Sequence, residues 1–299
     1  MRLPFTSVSL VAVSAAAILG GSASSAARAT QVELPQPSPR AVAVLDVGVT
    51  EVRIDYHRPA VKGREIWGKL VPYGEVWRLG ANNATKLSVS DPFTIGGKEL
   101  PAGSYALFAI PSAMSWKVIV NSDATQWGAY FHQPEKDLVT FEVVPQAAPF
   151  SEWMSFSLTP TSPGRAEVVM TWEKLRLPFE ITVDVNRLVW SKLESALADP
   201  AAGGFDPWEV YYQAAKYSLA TGERKADAFV WAERAMATKE SFRNYEIKAD
   251  LLARDGRHAE AIPLLDRAIE LSKAAGAPEA WRDGARAKRA SWVKAGAQG

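Results

Sequence analysis

Four cationic side chains, Arg58, Lys62, Arg64 and Arg78, fall within 21 positions, and only Glu65 and Glu75 lie among them as acids. Trp67, Tyr73 and Trp77 interleave with these cations, and Asn82 follows. An arginine presents a planar fork of donors that matches a carboxylate or a phosphate. A tryptophan presents a flat face to a sugar ring or to a cation. Together these residues are the candidate binding set for an anionic or glycan-like ligand. The same composition suits a structural plug, in which aromatics close one end of a fold and cationic stems cover them. On the residues alone both readings stand.

Other chemistries leave little trace. The chain has no cysteine, which excludes disulfides, thiol catalysis and thiolate zinc sites. Its three histidines, His57, His132 and His258, make no His-Glu-x-x-His or His-x-His pair, so no metal site is expected. No Gly-x-Ser-x-Gly elbow and no phosphate-binding glycine loop occur, and no cofactor is expected. Gly96-Gly97 reads as a hairpin turn. Asn83-Ala84-Thr85 matches a glycosylation triplet, a pattern common by chance. If the protein is a hydrolase, its acid–base groups are among Asp55, His57, Glu65 and Glu75, although spacing alone does not pair two carboxylates across a bond.

The elements that must position these residues change character along the chain. From residue 41 to about 187 the hydrophobic period is two: Val52, Ile54 and Tyr56; Trp116, Val118 and Val120; Val139, Phe141 and Val143; Met154, Phe156 and Leu158; Val168, Met170 and Trp172; Phe179, Ile181 and Val183. Such runs, separated by Gly96-Gly97, Pro101-Ala102-Gly103 and Pro163-Gly164, predict an all-β antiparallel sandwich or jelly-roll-like domain. Residues 188–204 predict a linker with a short helix. Asp206-Pro207 starts a helix, and helical periodicity continues through 205–296. The chain as a whole is α+β.

The second half carries an internal echo. Ala228 and Ala261, like Ala235 and Ala268, lie 33 positions apart, close to the roughly 34-residue tetratricopeptide unit. Small residues at these positions allow close helix approach, so 205–296 predicts an all-α helical-hairpin repeat domain of two units and a cap, with a plain bundle as the alternative. Two units bury little core, and the helices are expected to lean on the β domain. Arg282, Arg286, Lys288, Arg289 and Lys294 of the cap read as a solvated face. The net charge of +1 carries no nucleic-acid footprint.

The N-terminus reads as an export signal. Arg2 is followed by a short apolar stretch through Leu19 and by Ala27-Arg28-Ala29, which places a signal peptide at 1–29. Ser14, Gly20 and Gly21 make the stretch too weak for a spanning helix. Residues 30–40, with Pro35, Pro37 and Pro39, form an extended leader. The expected location is periplasmic or extracellular, with no membrane span after signal removal.

The long run from Tyr56 to Thr85 resembles the signature of the bacterial domain-of-unknown-function family 2911, over about residues 41–185. Arg58-Pro59, Lys62-Gly63-Arg64, Val71-Pro72-Tyr73-Gly74, Val76-Trp77-Arg78 and Gly80-Ala81-Asn82 carry the resemblance, with Leu100-Pro101-Ala102-Gly103 and Trp127-Gly128-Ala129-Tyr130 further on. The resemblance adds Trp127 to the candidate ligand-binding set. Asn83 stands where the family usually has Glu, and Phe131-His132 where an acidic residue is usual. If that Glu is catalytic in the family, this chain lacks it. The expected function is an exported cell-envelope binding or interaction protein, its β domain holding an anionic or glycan-like ligand and its helices docking a protein partner. A hydrolase of an envelope polymer and a purely structural adaptor are the alternatives.

Overall fold

The computed structural model describes residues 34–204 and 206–297. The predicted signal segment, the first residues of the leader and Phe205 lie outside the described residues. From Ser38 onward the described chain is one compact unit.

Ten strands come first: β1 (Arg40–Val47), β2 (Thr50–His57), β3 (Thr85–Val89), β4 (Phe93–Ile95), β5 (Lys98–Leu100), β6 (Gly103–Ile110), β7 (Trp116–Asn121), β8 (Asp137–Val143), β9 (Gln146–Ser162) and β10 (Arg165–Thr182). They form two antiparallel sheets, ordered β1-β2-β3-β6-β7-β8 and β5-β4-β10-β9. Period-two patterning turns one set of side chains inward from each sheet. Ile54, Leu87, Leu107, Val118 and Val120 of the first sheet share a core with Ile95, Val168, Met170 and Ile181 of the second. Each such fully buried side chain contributes about 1.5–3 kcal/mol. The runs Val168–Trp172 and Phe179–Ile181 belong to one continuous strand, β10, rather than to two. Register shifts between Thr171 and Glu173 and between Glu173 and Leu175 interrupt its ladder with β9.

Gly96-Gly97 joins β4 to β5 with Ile95 opposite Lys98, both glycines having positive φ. A two-residue hairpin of type I′ needs that conformation at both central positions. A Cβ on Gly96 would lie 2.3 Å from the Phe141 ring, so glycine also clears space for the neighbouring sheet.

Six helices follow: α1 (Val185–Ala198), α2 (Pro207–Thr221), α3 (Lys225–Thr238), α4 (Phe242–Arg254), α5 (His258–Ala274) and α6 (Glu279–Gly296). Asp184 caps α1 by accepting the Arg187 N–H at 3.0 Å. This helix belongs to both cores. Leu188 joins the sandwich core, whereas Trp190 and Leu193 join a helical core with Ala214, Ala215, Ala228 and Trp231. Arg187 pairs with Glu99 at 2.8 Å and Lys192 with Asp91 at 2.9 Å, which ties its polar side to the sheets. Helices α2 and α3 pack together, as do α4 and α5. On α6, Arg289 meets Asp266 at 2.5 Å and Lys288 reaches Glu246 and Asp250 at 3.0 and 2.8 Å. Much of the cap's positive charge is thus neutralised by its own fold.

Candidate functional site

The run from Tyr56 to Thr85 divides into two parts with different duties. In the first, the cations hold backbone. Arg58 Nε donates to the Met154 carbonyl at 2.8 Å, fastening the end of β2 to β9. Arg64 donates to the Val61 and Ala60 carbonyls at 3.0 and 2.6 Å. Irregular backbone leaves carbonyls without a ladder partner, and a guanidinium with five donors can satisfy several of them. Lys62 is exposed, and its backbone N–H donates to Glu152 Oε1 at 2.9 Å.

Trp77 lies in the core, and the partly buried Trp67 packs against it. They join Trp116 and Trp172 in a four-indole cluster, with Trp67 5.0 Å from Trp116 and 5.6 Å from Trp172, and Trp77 6.0 Å from Trp172. Edge-to-face and offset contacts at these separations are favourable beyond the area they bury. Trp77 Nε1 donates to the Gly80 carbonyl at 3.2 Å, and its backbone pairs with Ala109 of β6. The buried Trp77 ring presents no free face to a ligand, and the Trp67 ring is engaged edge-to-face by three other indoles. The exposed Tyr73 ring lies over Gly68, where a Cβ would come within 3.0 Å of it.

The second part turns outward. Leu79 and Asn82 have φ of 48° and 55°. Left-handed backbone at non-glycine residues costs about 1–3 kcal/mol each and persists only where surrounding contacts hold it. Here Thr85 Oγ1 donates to the Leu79 carbonyl at 2.6 Å and the Thr85 N–H to the Arg78 carbonyl at 3.2 Å. The Gly128 N–H donates to the Asn82 carbonyl at 3.0 Å, and the Ala84 N–H to the Gln126 carbonyl at 3.1 Å. Residues 78–84 are therefore sewn to residues 126–128, which brings Arg78, Asn82 and Asn83 to the loop that carries Trp127 and Tyr130. The Asn82 side chain donates to the Ser38 carbonyl at 3.4 Å. The Ala81 N–H donates to the His57 carbonyl at 3.3 Å, which adds the end of β2 to the group.

Within this group Arg78 stands out. Its guanidinium is half-buried, and Nε is sealed from solvent with no acceptor. Burial, the largest influence, pushes its pKa down, and Tyr130 is the neighbour acting the other way. Neither a carboxylate nor a carbonyl engages its guanidinium among the described residues. Beside it, Trp127 and Tyr130 stack at 5.9 Å and 19°, both well exposed. A buried polar network holds their loop: Asn121 donates to Asp137 at 2.7 Å, Gln126 to Asn121 at 2.9 Å, and His132 Nε2 meets Asp137 at 2.9 Å. Hydrogen bonds from Thr125 and Lys136 hold the Asp123 carboxyl down at about 2.

Of the sequence-derived set, Arg78, Asn82 and Trp127 come together here. Arg58, Arg64, Trp67 and Trp77 serve the framework. Tyr130, His57 and the Asn121–Gln126–Asp137–His132 network complete the surroundings. Tyr130 was visible in the same tetrapeptide as Trp127, but only a fold shows which arginine it faces. Among the acid–base candidates, burial pushes the Asp55 carboxyl up, but the hydrogen bond and charge of Arg40 prevail and hold it low. Glu65 and Glu75 are exposed on the framework part of the run. Among the described residues no three His, Cys, Asp or Glu side chains converge as metal ligands.

Residues 38–181 match the family model described as a protein of unknown function (DUF2911), a span that covers both sheets and ends before α1. No curated protein and no solved structure matches the chain.

Proposed function

We propose that this protein is an exported cell-envelope binding protein whose β domain holds an acidic glycan or a similar anionic ligand against Arg78. One observation carries the reading: a half-buried guanidinium whose sealed Nε has no acceptor among the described residues, beside an exposed stack of two aromatic rings. A desolvated donor left unsatisfied costs about 1–3 kcal/mol, more when charged. A carboxylate or phosphate of a ligand would recover that cost, and the Trp127–Tyr130 pair would receive an adjoining sugar ring. The left-handed backbone at Leu79 and Asn82 is the kind of strain that a site retains when its geometry has a use. Export rests on the signal-like residues 1–29. Among the described residues no helix is long and apolar enough to cross a membrane. The helices would serve as two tetratricopeptide-like units that dock a protein partner. The full burial of Ala228, Ala235, Ala261 and Ala268 at matching positions supports that part.

The test pairs a thermal melt with a ligand screen on peptidoglycan fragments, teichoic and lipid-linked phosphates and acidic sugars. Arg78→Ala should leave the melt within a degree or two and weaken binding by roughly 1.5–3 kcal/mol. A melt lowered by several degrees, with no ligand found for the parent protein, overturns the reading.

A further inference from the structure

Strands β2 and β3 bury Val52, Ile54, Tyr56, Thr85 and Leu87. Alternation then sends Arg53, Asp55 and His57 of β2, and Lys86 and Ser88 of β3, to the outer face of the first sheet. Antiparallel pairing sets Lys86 opposite Asp55, Ser88 opposite Arg53, and Arg40 of β1 opposite His57. This strip begins beside the Arg78 site. The charge of Arg78 reaches His57, and the Ala81 N–H donates to the His57 carbonyl at 3.3 Å.

Along the strip one carboxylate faces three cations. Asp55 accepts from Arg40 Nε at 2.7 Å and from a terminal nitrogen of the same guanidinium. Arg53 comes only to 4.0 Å from it. Lys86 makes no ion pair among the described residues. From Arg78 as far as Arg53, these strands therefore set Arg78, Arg40, Lys86 and Arg53 against Asp55 alone. Acids return only beside the β1–β2 turn, where Asp46 and Glu51 lie opposite each other. Next to Arg53, the exposed Ser88 and Ser104 hydroxyls meet at 2.7 Å. Four strand steps from His57 to Arg53 span about 13 Å, more than one sugar ring covers.

We propose that the Arg78 site continues along this strip and takes a linear acidic polysaccharide, with one carboxylate at Arg78 and a later one at Lys86 and Arg53. The strip presupposes the Arg78 reading and selects, within it, a repeating polyanion over a single acidic sugar. A lone acid at Arg78 leaves Lys86 and Arg53 unmatched. A second acid on the same chain reaches them as an intramolecular step, which raises affinity without any change at the first contact. The Ser88–Ser104 pair is placed to exchange hydrogen bonds with sugar hydroxyls between the acids.

The probes are galacturonic acid and its linear tetramer, titrated separately into the mature chain by calorimetry. The parent protein should bind the tetramer at least tenfold more tightly than the monomer. Lys86→Gln combined with Arg53→Gln should bring the two affinities within about threefold of each other, with an unchanged circular dichroism spectrum. Lys86→Arg, which keeps the charge, should retain the tenfold preference. Lys174→Gln, which removes an exposed cation from the other sheet, should leave both affinities as in the parent. Equal affinities in the parent refute the strip and leave the Arg78 reading standing. A tenfold preference that survives the double glutamine variant also refutes the strip. A 5′-phosphorylated thymidine tetranucleotide that binds as tightly as the tetramer would overturn the polysaccharide. Failure of the parent to bind either sugar would defeat the strip and the Arg78 reading together.

Discussion

His57 and Arg78 are coupled through charge. Burial is the main reason the His57 imidazole titrates below its ordinary value; Asp55 opposes this, and Arg40 and Arg78 reinforce it. The native state therefore binds fewer protons than the unfolded chain as pH falls through about 6.5, and this residue withdraws stability in that direction. An anion bound at Arg78, as proposed, would reverse part of the effect. By offsetting the Arg78 charge it would raise the His57 pKa, so the complex would hold more protons than the free protein. Binding of an acidic sugar should then tighten as pH falls from 7 toward 6, with net proton uptake. Calorimetry at pH 6.5 in buffers of different ionisation enthalpy measures that uptake directly. His57→Gln should abolish it, and proton release on binding would contradict the placement of the anion.

Strand β7 begins with Trp116, which is sealed in the indole cluster and donates Nε1 to the Ser112 carbonyl at 3.1 Å. Removing that ring opens a cavity between two sheets. Trp116→Ala should cost about 3–5 kcal/mol. Trp127, on the loop between β7 and β8, is 56% exposed, and Trp127→Ala should stay within about 0.5 kcal/mol in stability. Urea melts of the two variants separate framework from site. Comparable losses in both would mean that the Trp127–Tyr130 stack is a packing feature rather than a ligand platform. The division matters because one stretch of sequence supplies both kinds of aromatic residue. Trp77 is drawn inward by the β6 ladder, whereas Trp127 is held outward by the network around Asn121.

Across the whole molecule α1 is the shared piece. Leu188 faces the sandwich core, and Trp190 faces the helical core with its Nε1 on Glu223 at 2.6 Å and Arg224 over its ring at 4.6 Å. A helical fragment that starts at Val185 keeps Trp190 and Leu193, while one that starts at Pro207 loses both. Each buried side chain of that size contributes about 1.5–3 kcal/mol, and a small helical domain has little to spare. The longer fragment should melt at least several degrees above the shorter. Equal melting temperatures by circular dichroism would show that the helices hold together without α1, and that the connection at 199–206 is the true boundary between domains.

The order of architecture was legible in the residues themselves. Alternation such as Val52, Ile54 and Tyr56 can bury one face only as a strand, and the i, i+4, i+7 burial of Ala261, Leu265 and Ala268 only as a helix. Asp206-Pro207 and Gly96-Gly97 fix their local geometry because proline sets φ and glycine permits positive φ. Periodicity could not show that two apolar runs make one strand, since the register shifts near Glu173 interrupt the ladder without ending it. Nor could it sort one cationic aromatic run into clamp and site. Arg58, Arg64 and Arg78 are the same residue type a few positions apart, and all three are chemically able to bind an anion. What separates them is which carbonyl lies within reach of each guanidinium, as Met154 does for Arg58 across 96 positions of chain. That distance is set by the pairing of strands remote in sequence, so only the tertiary structure leaves Arg78 Nε without an acceptor among the described residues and brings Arg78 within the electrostatic reach of Tyr130.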